Sequence, residues 1–250
     1  MANTEAYKEL QIRWGTFLQK IEARYHEILD QAEGPLSETI DNLQYDTVII
    51  HNILTALKNQ TVEQLGKKID ETWPKMRVEM DKIGTSYSDV QMQASGGGAL
   101  KAKIHNDFLQ YQVTVYGRAA RKILTNVQAH VDEKKMHRCT QCGAELPIKI
   151  YSFMAVNLKC ESCGSVNTYQ PDDRVRALEY YVINALAEEA AFPLKIQANF
   201  DKSKIKDYYE KYYGYLMDNV PDKKEYYKRD MDERIKWGQQ NPALFNDLLR

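Results

Sequence analysis

The sequence is poor in cysteine, in long apolar runs and in net charge. Four cysteines occur among 250 residues, and all four belong to one motif, which leaves none for a disulfide framework and favours a reducing compartment. The strongest apolar stretch, 48–57, is interrupted by polar residues and is shorter than the roughly 18 apolar residues that span a bilayer. The formal net charge of −1 gives the whole chain no electrostatic reason to seek nucleic acid or an anionic membrane.

Signals for export and motifs for common kinds of catalysis are equally scarce. The first six residues lack the basic start and apolar core of a secretory signal, so we expect a soluble, cytoplasmic protein with no membrane contact. The sequence contains no P-loop, dinucleotide-binding or nucleophile-elbow motif. No histidine has Glu three residues before it, as a di-iron bundle requires. We therefore find no candidate catalytic residues and no small-molecule substrate, which favours a protein that is not an enzyme.

The N-terminal third carries apolar residues at the three- and four-residue steps of amphipathic helices. The first stripe comprises Leu10, Trp14, Phe17, Ile21, Tyr25 and Ile28. The second comprises Leu36, Ile40, Leu43, Ile50, Leu54 and Leu57. Gly34-Pro35 predicts a turn between the two stripes, and Thr61 with Gln64 predicts a capping box that starts another helix.

Residues 84–98 are rich in Ser, Gly and Gln and end in Gly96-Gly97-Gly98, which predicts a flexible linker. A third long helix is expected from about Ala99, where apolar positions keep a heptad spacing from Leu109 to His130. Three such segments predict an antiparallel bundle or a coiled-coil hairpin.

Charge is distributed unevenly between these segments. Residues 1–83 hold ten Lys or Arg against fourteen Asp or Glu, whereas residues 99–138 hold eight against three. The basic helix is therefore expected to pack against the acidic ones, with charges on its flanks setting the register. The alternative is an anion or nucleic-acid surface along this helix. Its candidate residues are Lys101, Lys103, Arg118, Arg121 and Lys122.

The four cysteines form two Cys-x-x-Cys-Gly segments, Cys139 to Gly143 and Cys160 to Gly164, with seventeen residues between the two pairs of cysteines. Two intervening residues let a tight turn aim both sulfurs at one ion, and the glycine suits a positive φ. Alternation of Leu146, Ile148 and Ile150 predicts a strand. Residues 156–159 and 165–169 are expected to supply two more.

Residues 138–170 resemble a zinc ribbon, a family of small three-stranded domains built on four cysteines. The resemblance implies one Zn²⁺ held by Cys139, Cys142, Cys160 and Cys163, and four thiolates leave no open coordination position, so the metal is expected to be structural. The spacing alone also fits an iron site. Residues 139–171 hold two Lys and two Glu and have no net charge, so the ribbon lacks the excess of cations expected of a nucleic-acid-binding domain. Its aromatic residues suit a small core or a protein contact.

Helical spacing returns from about residue 172, and tyrosines cluster beyond it. Five of the 17 tyrosines fall within eight residues: Tyr208, Tyr209, Tyr212, Tyr213 and Tyr215. On a helix they form a broad face, apolar in body and polar at its tips. Such a face either contacts a protein partner or packs on the protein's own helices.

Together these features predict a mainly α fold: a helical bundle over 1–138, a zinc ribbon over 139–171 and further helices over 172–250. Our first hypothesis is a non-enzymatic scaffold or adaptor that assembles with a protein partner or with itself. The alternative is a nucleic-acid-binding regulator that uses the basic helix 99–138 and the ribbon. A helical enzyme or effector with an unrecognised site is a weaker alternative.

Overall fold

The structure, a computed structural model, describes residues 4–133, 137–146, 156–169 and 178–241. It is a mainly α fold with a small β insert, which confirms the predicted fold class. Its main elements are α1 (Thr4–Asp41), α2 (Val48–Lys58), α3 (Gln64–Lys82), α4 (Tyr87–Glu133), β1 (Val156–Lys159), β2 (Val166–Tyr169), α5 (Ile183–Phe200), α6 (Ile205–Asn219) and α7 (Lys224–Gln240).

The chain divides into two compact units, each with its own core. Unit 1 comprises Met1–Thr39 and Ile49–Gln112, and unit 2 comprises Ile40–Val48 and Val113–Arg250. Helices occupy the segments whose apolar spacing predicted them, but some of the predicted breaks between them lie inside helices. The predicted domain borders at 138 and 171 and the predicted coiled-coil pairing stay predictions.

The core of unit 1 is centred on Trp14 of α1. Its ring lies 5.4 Å from that of Phe17 and 5.3 Å from that of Trp73 on α3. The indole Nε1 donates a hydrogen bond of 3.0 Å to the main-chain carbonyl of Gln93 on α4. Burying each large apolar side chain of this kind contributes about 1.5–3 kcal/mol. Through these contacts Trp14 on α1 stabilises the packing of α3 and α4 in the same core.

A helix occupies most of the segment predicted as a linker, so that prediction is wrong from Tyr87 onward. Helix α3 ends in a Schellman turn, in which the amides of Gly84 and Thr85 donate to carbonyls of α3 and Gly84 has a φ of 71°. Ser86 then caps α4: its Oγ accepts from the amide of Asp89 at 3.1 Å and donates to the Asp89 carboxylate. The turn is thus confined to residues 83–86.

Two other predicted helix boundaries lie inside continuous helical segments. Gly34-Pro35 is part of α1, where burial of Leu36 to 1% exposure outweighs the one backbone hydrogen bond that proline removes. Thr61 lies in a π-helical turn, Asn59–Glu63, that joins α2 to α3. Its hydroxyl donates to the carbonyl of Leu57 at 2.7 Å, which satisfies this buried group without a cap.

Unit 2 contains a helical cluster of α5, α6 and α7 and a second cluster that involves α4. In the first, the small side chains of Ala187, Ala191 and Ala198 are fully buried and let the tyrosine-bearing α6 approach α5 closely. In the second, buried residues of α4 pack with the π-helical turn Leu178–Val182 that precedes α5. These helices follow the β insert in sequence, as predicted.

Candidate metal centre

The two Cys-x-x-Cys-Gly segments fold into two matching knuckles, the first over residues 139–144 and the second over residues 160–165. In the first, the amide of Gly143 donates to the carbonyl of Cys139 at 2.9 Å, and the amide of Cys139 donates to the carbonyl of Ala144 at 2.8 Å. The second repeats both bonds at the equivalent positions, each at 2.8 Å. The glycines have φ values of 77° and 74°, which confirms that each turn requires the left-handed backbone that glycine adopts without strain.

The knuckles bring the four thiols together, as the sequence predicted. The four sulfurs lie within 4.8 Å of one another. The Sγ atoms of Cys139 and Cys163 are 3.5 Å apart, and those of Cys142 and Cys160 are 3.6 Å apart. All four cysteines are free thiols, and these distances exceed the sulfur–sulfur bond of about 2.05 Å in a disulfide. Such a group of thiols can hold a metal ion.

A small scaffold supports the knuckles. Strands β1 and β2 pair antiparallel, with Asn157 opposite Thr168 and Lys159 opposite Val166, which confirms two of the three predicted strands. An isolated bridge pairs Arg138 with Glu145. Leu146 is buried with Cys139 and Cys160 in a small apolar cluster. Of the third predicted strand, Ile148 and Ile150 lie outside the described residues. We call residues 137–146 and 156–169 the cysteine module.

The side chains of Ser165 and Asn167 contact the sulfur of Cys139. The Oγ of Ser165 lies 3.0 Å from the sulfur of Cys139 and 3.1 Å from that of Cys163. The Nδ2 of Asn167 lies 3.5 Å from the sulfur of Cys139. Hydrogen bonds from the Ser165 hydroxyl, backbone amides and the Asn167 amide lower the pKa of Cys139 to about 5, because they stabilise the thiolate. The Ser165 hydroxyl also lowers the pKa of Cys163. These donors therefore favour the thiolate form of Cys139 and Cys163, whereas contacts with the neighbouring thiols and burial raise the pKa of Cys142.

Sequence reasoning missed both Ser165 and Asn167 as members of this site. Alternation in the predicted strand 165–169 puts either Val166 and Thr168 or Asn167 and Tyr169 on the inner side, and apolarity favours Val166. The structure instead buries Asn167 to 3% exposure and leaves Val166 65% exposed. A serine directly after the second Cys-x-x-Cys-Gly segment and an asparagine two residues later supply hydrogen-bond donors next to the metal ligands, and this is the signal that could have identified both residues.

The residues predicted as an anion surface are mostly paired with carboxylates of their own unit. Lys101 contacts Asp70 at 2.6 Å, and Lys103 contacts Glu22. In unit 2, two guanidinium nitrogens of Arg121 contact the carboxylate of Glu189 at 2.5 and 3.1 Å. Arg118 and Lys122 are half-buried on the same helix, α4. These pairs support the interpretation that charges on the flanks of α4 set its register.

The tyrosines predicted as a partner face mostly pack inside unit 2. Tyr208, Tyr209 and Tyr213 are each 6% exposed, and Tyr212 and Tyr215 are partly buried against the same cluster. Their hydroxyls have internal acceptors as well: Tyr208 donates to Glu188 at 2.7 Å, and Tyr213 donates to Asp230. This arrangement matches the alternative that the face packs on the protein's own helices.

A buried lysine is a further feature that the sequence did not indicate. The Nζ of Lys195 on α5 contacts the carboxylate of Glu188 at 2.7 Å and lies 5.1 Å from the centre of the Tyr208 ring. Its side chain is 8% exposed. The carboxylate compensates the buried charge, and the aromatic face adds a cation–π contact, so this trio links α5 to α6.

No described helix is both long and apolar enough to cross a membrane.

Comparison with known proteins adds no relative. No protein-family model matches the chain, and no curated protein or solved structure is significantly similar to it.

Proposed function

We propose that this chain is a non-enzymatic, zinc-containing helical scaffold or adaptor protein. In this proposal one Zn²⁺ bound by Cys139, Cys142, Cys160 and Cys163 stabilises a zinc-ribbon module. The helices and the module then mediate assembly with a protein partner or with a second copy. The observation that carries the proposal is the group of four neighbouring sulfurs, which two matching knuckles bring within 4.8 Å of one another.

The sulfur spacing fits tetrahedral coordination. A zinc–sulfur distance of about 2.3 Å implies that neighbouring sulfurs of a regular tetrahedron lie about 3.8 Å apart. Two of the pairs lie at 3.5 and 3.6 Å, and every pair lies within 4.8 Å. Four thiolates fill the coordination sphere and leave no position for a water or a substrate, which supports a structural metal. Reduced thiols are needed for such a site, which supports a reducing compartment such as the cytoplasm.

Surface chemistry supports a protein partner over nucleic acid. Val166, on β2 beside the second knuckle, is 65% exposed and is therefore accessible to a protein partner. Lys101, Lys103 and Arg121 each contact a carboxylate of the protein itself. Phosphate binding would require these cations to leave those partners.

The test is light scattering on the full-length chain over a range of concentrations, with elemental analysis of the same chromatographic peak. We expect about one zinc per chain and an association that strengthens with concentration or with a co-purifying protein. Iron in the peak would replace zinc as the metal. A strict monomer that carries no other protein would contradict the scaffold, and a peak rich in nucleic acid would favour the alternative function.

A pair of matched variants locates the contact. Val166→Glu and Val78→Glu each place a charge at an exposed valine, the first in the cysteine module and the second on α3 of unit 1. If the module supplies the contact, Val166→Glu weakens assembly and Val78→Glu does not, whereas a loss confined to Val78→Glu would place the contact on the helices of unit 1. Equal effects of both variants, or none from either, would contradict a role for the module in docking.

A further inference from the structure

Ser165 occupies a position between two of the four sulfurs. Its Oγ lies 3.0 Å from the sulfur of Cys139 and 3.1 Å from that of Cys163. A metal-bound thiolate can only accept hydrogen bonds, so the Ser165 hydroxyl must be the donor in the loaded site. Because the hydroxyl has one proton, both sulfurs compete for it. One side chain thereby couples a ligand of the first knuckle to a ligand of the second.

Asn167 connects the same sulfur to the backbone of the first knuckle. Its Nδ2 lies 3.5 Å from the sulfur of Cys139 and 3.4 Å from the hydroxyl oxygen of Ser165. Its Oδ1 accepts from the amide of Thr140 at 2.8 Å and from the Thr140 hydroxyl at 3.0 Å. This buried amide therefore uses its donor end for the metal site and its acceptor end for the turn that carries Cys139.

We propose that Ser165 and Asn167 are positioning residues for the metal site. They hold Cys139 and Cys163 in place and reduce the negative charge on the two sulfurs. The inference rests on the proposed zinc site. A divalent ion with four thiolates has a net charge of about −2, which donors within hydrogen-bond distance stabilise. Donors to the sulfur of Cys139 include the Ser165 hydroxyl, the Asn167 amide and, at 3.4 Å, the backbone amide of Gln141.

Only the donor half of the Asn167 amide acts on the metal site. In the Asn167→Asp variant the oxygen that accepts from Thr140 remains, whereas the donor to sulfur is replaced by a negatively charged oxygen. Ser165→Ala removes the hydroxyl proton that serves two sulfurs, and Ser165→Thr keeps it. Thr168→Ala is the matched control, since Thr168 lies on the same strand and its hydroxyl contacts Asn157 at 3.0 Å.

The test uses full-length chains in zinc competition against a chromophoric chelator. Loss of an outer-shell hydrogen bond typically lowers metal affinity by about 10–100-fold. We expect a loss of that size for Ser165→Ala and at least as large for Asn167→Asp, with Ser165→Thr and Thr168→Ala close to the wild type. In the cobalt-substituted proteins, the sulfur-to-cobalt charge-transfer band should move to lower energy in the first two variants, because their sulfurs lose hydrogen bonds.

Amide exchange across β1 and β2 in the zinc-loaded variants separates positioning from simple folding. Weakened affinity and a shifted cobalt band with a protected sheet support the proposal. Wild-type affinity and an unshifted band in both variants would overturn it and leave the zinc site itself standing. A loss of zinc affinity that occurs only together with a loss of amide protection in β1 and β2 would also overturn it. If the wild-type chain takes up no metal in the same titration, the proposed zinc site fails together with this inference.

Discussion

Gly97 of α4 lies directly against the indole of Trp14 on α1. A Cβ at Gly97 would lie 3.1 Å from Cζ2 of Trp14 and 3.2 Å from Cγ2 of Ile69, closer than such contacts normally allow. At Gly98, the next residue, a Cβ would have nothing within 4 Å. Within the glycine run that resembles a linker in sequence, Gly97 thus forms a close contact with a buried aromatic ring.

Substitution of these two glycines by alanine should therefore have opposite effects. Gly98→Ala should stabilise unit 1 by up to about 1 kcal/mol, because alanine favours the helix. Gly97→Ala gains the same propensity but crowds two buried side chains, at a cost of about 1–3 kcal/mol. Denaturant unfolding measures both, and a Gly97→Ala variant as stable as Gly98→Ala would contradict the close packing of Gly97 against Trp14 and Ile69.

Metal removal should act on the cysteine module and spare most of the helices. A module of this size has too small an apolar core to fold without its metal. We expect chelation, or the Cys160→Ser variant, to abolish amide protection in β1 and β2 while most of the helical circular dichroism remains. Near-complete loss of helicity would show that the helices depend on the metal, contrary to our domain division.

The contact between Lys101 and Asp70 should be a weak, salt-sensitive contribution to unit 1. Their side chains are 39% and 63% exposed, and exposed pairs of this kind typically contribute about 0.2–1 kcal/mol. A double-mutant cycle with Lys101→Met and Asp70→Asn should give a coupling free energy in that range that falls at high salt. No coupling at low salt would mean that Lys101 is available for another partner.

Unit 2 should lose stability in alkaline solution because of its buried tyrosines. Burial raises the pKa of Tyr208, Tyr209 and Tyr213 above the ordinary value of 10.0, and the nearby carboxylate of Glu188 adds to the effect at Tyr208. A raised pKa means that the neutral phenol is favoured in the folded state. The buried neutral phenols therefore stabilise unit 2 fully below about pH 10, and this stabilisation is lost as the pH rises above that value.

Tyrosinate absorbance followed together with helical circular dichroism tests this prediction. The buried tyrosines should ionise only as the helices of unit 2 unfold, and Tyr208→Phe should make the alkaline fall in stability less steep because one such proton is removed. Ionisation of all tyrosines near pH 10 with the helices intact would contradict the burial of α6.

Several features of this protein follow from local sequence. The three- and four-residue apolar steps predicted the helices, and the Cys-x-x-Cys-Gly repeats predicted the knuckles, because turn geometry depends only on the residues within the turn. The strand 156–159 was predicted at its observed bounds, and residues 165–169 contain β2. The grouping of four cysteines followed from the spacing of the two turns.

The tertiary structure decided what depends on neighbours from distant parts of the chain. Proline at 35 and glycine at 96–98 disfavour helix locally, but burial of Leu36 and contact with Trp14 outweigh that cost, so the helices continue. The tyrosine face of α6 is internal because the alanines of α5 accommodate it. Asn167 is buried and Val166 is exposed, against their polarity, because the Asn167 amide hydrogen-bonds to Cys139 and Thr140, which lie 28 and 27 residues earlier in the sequence.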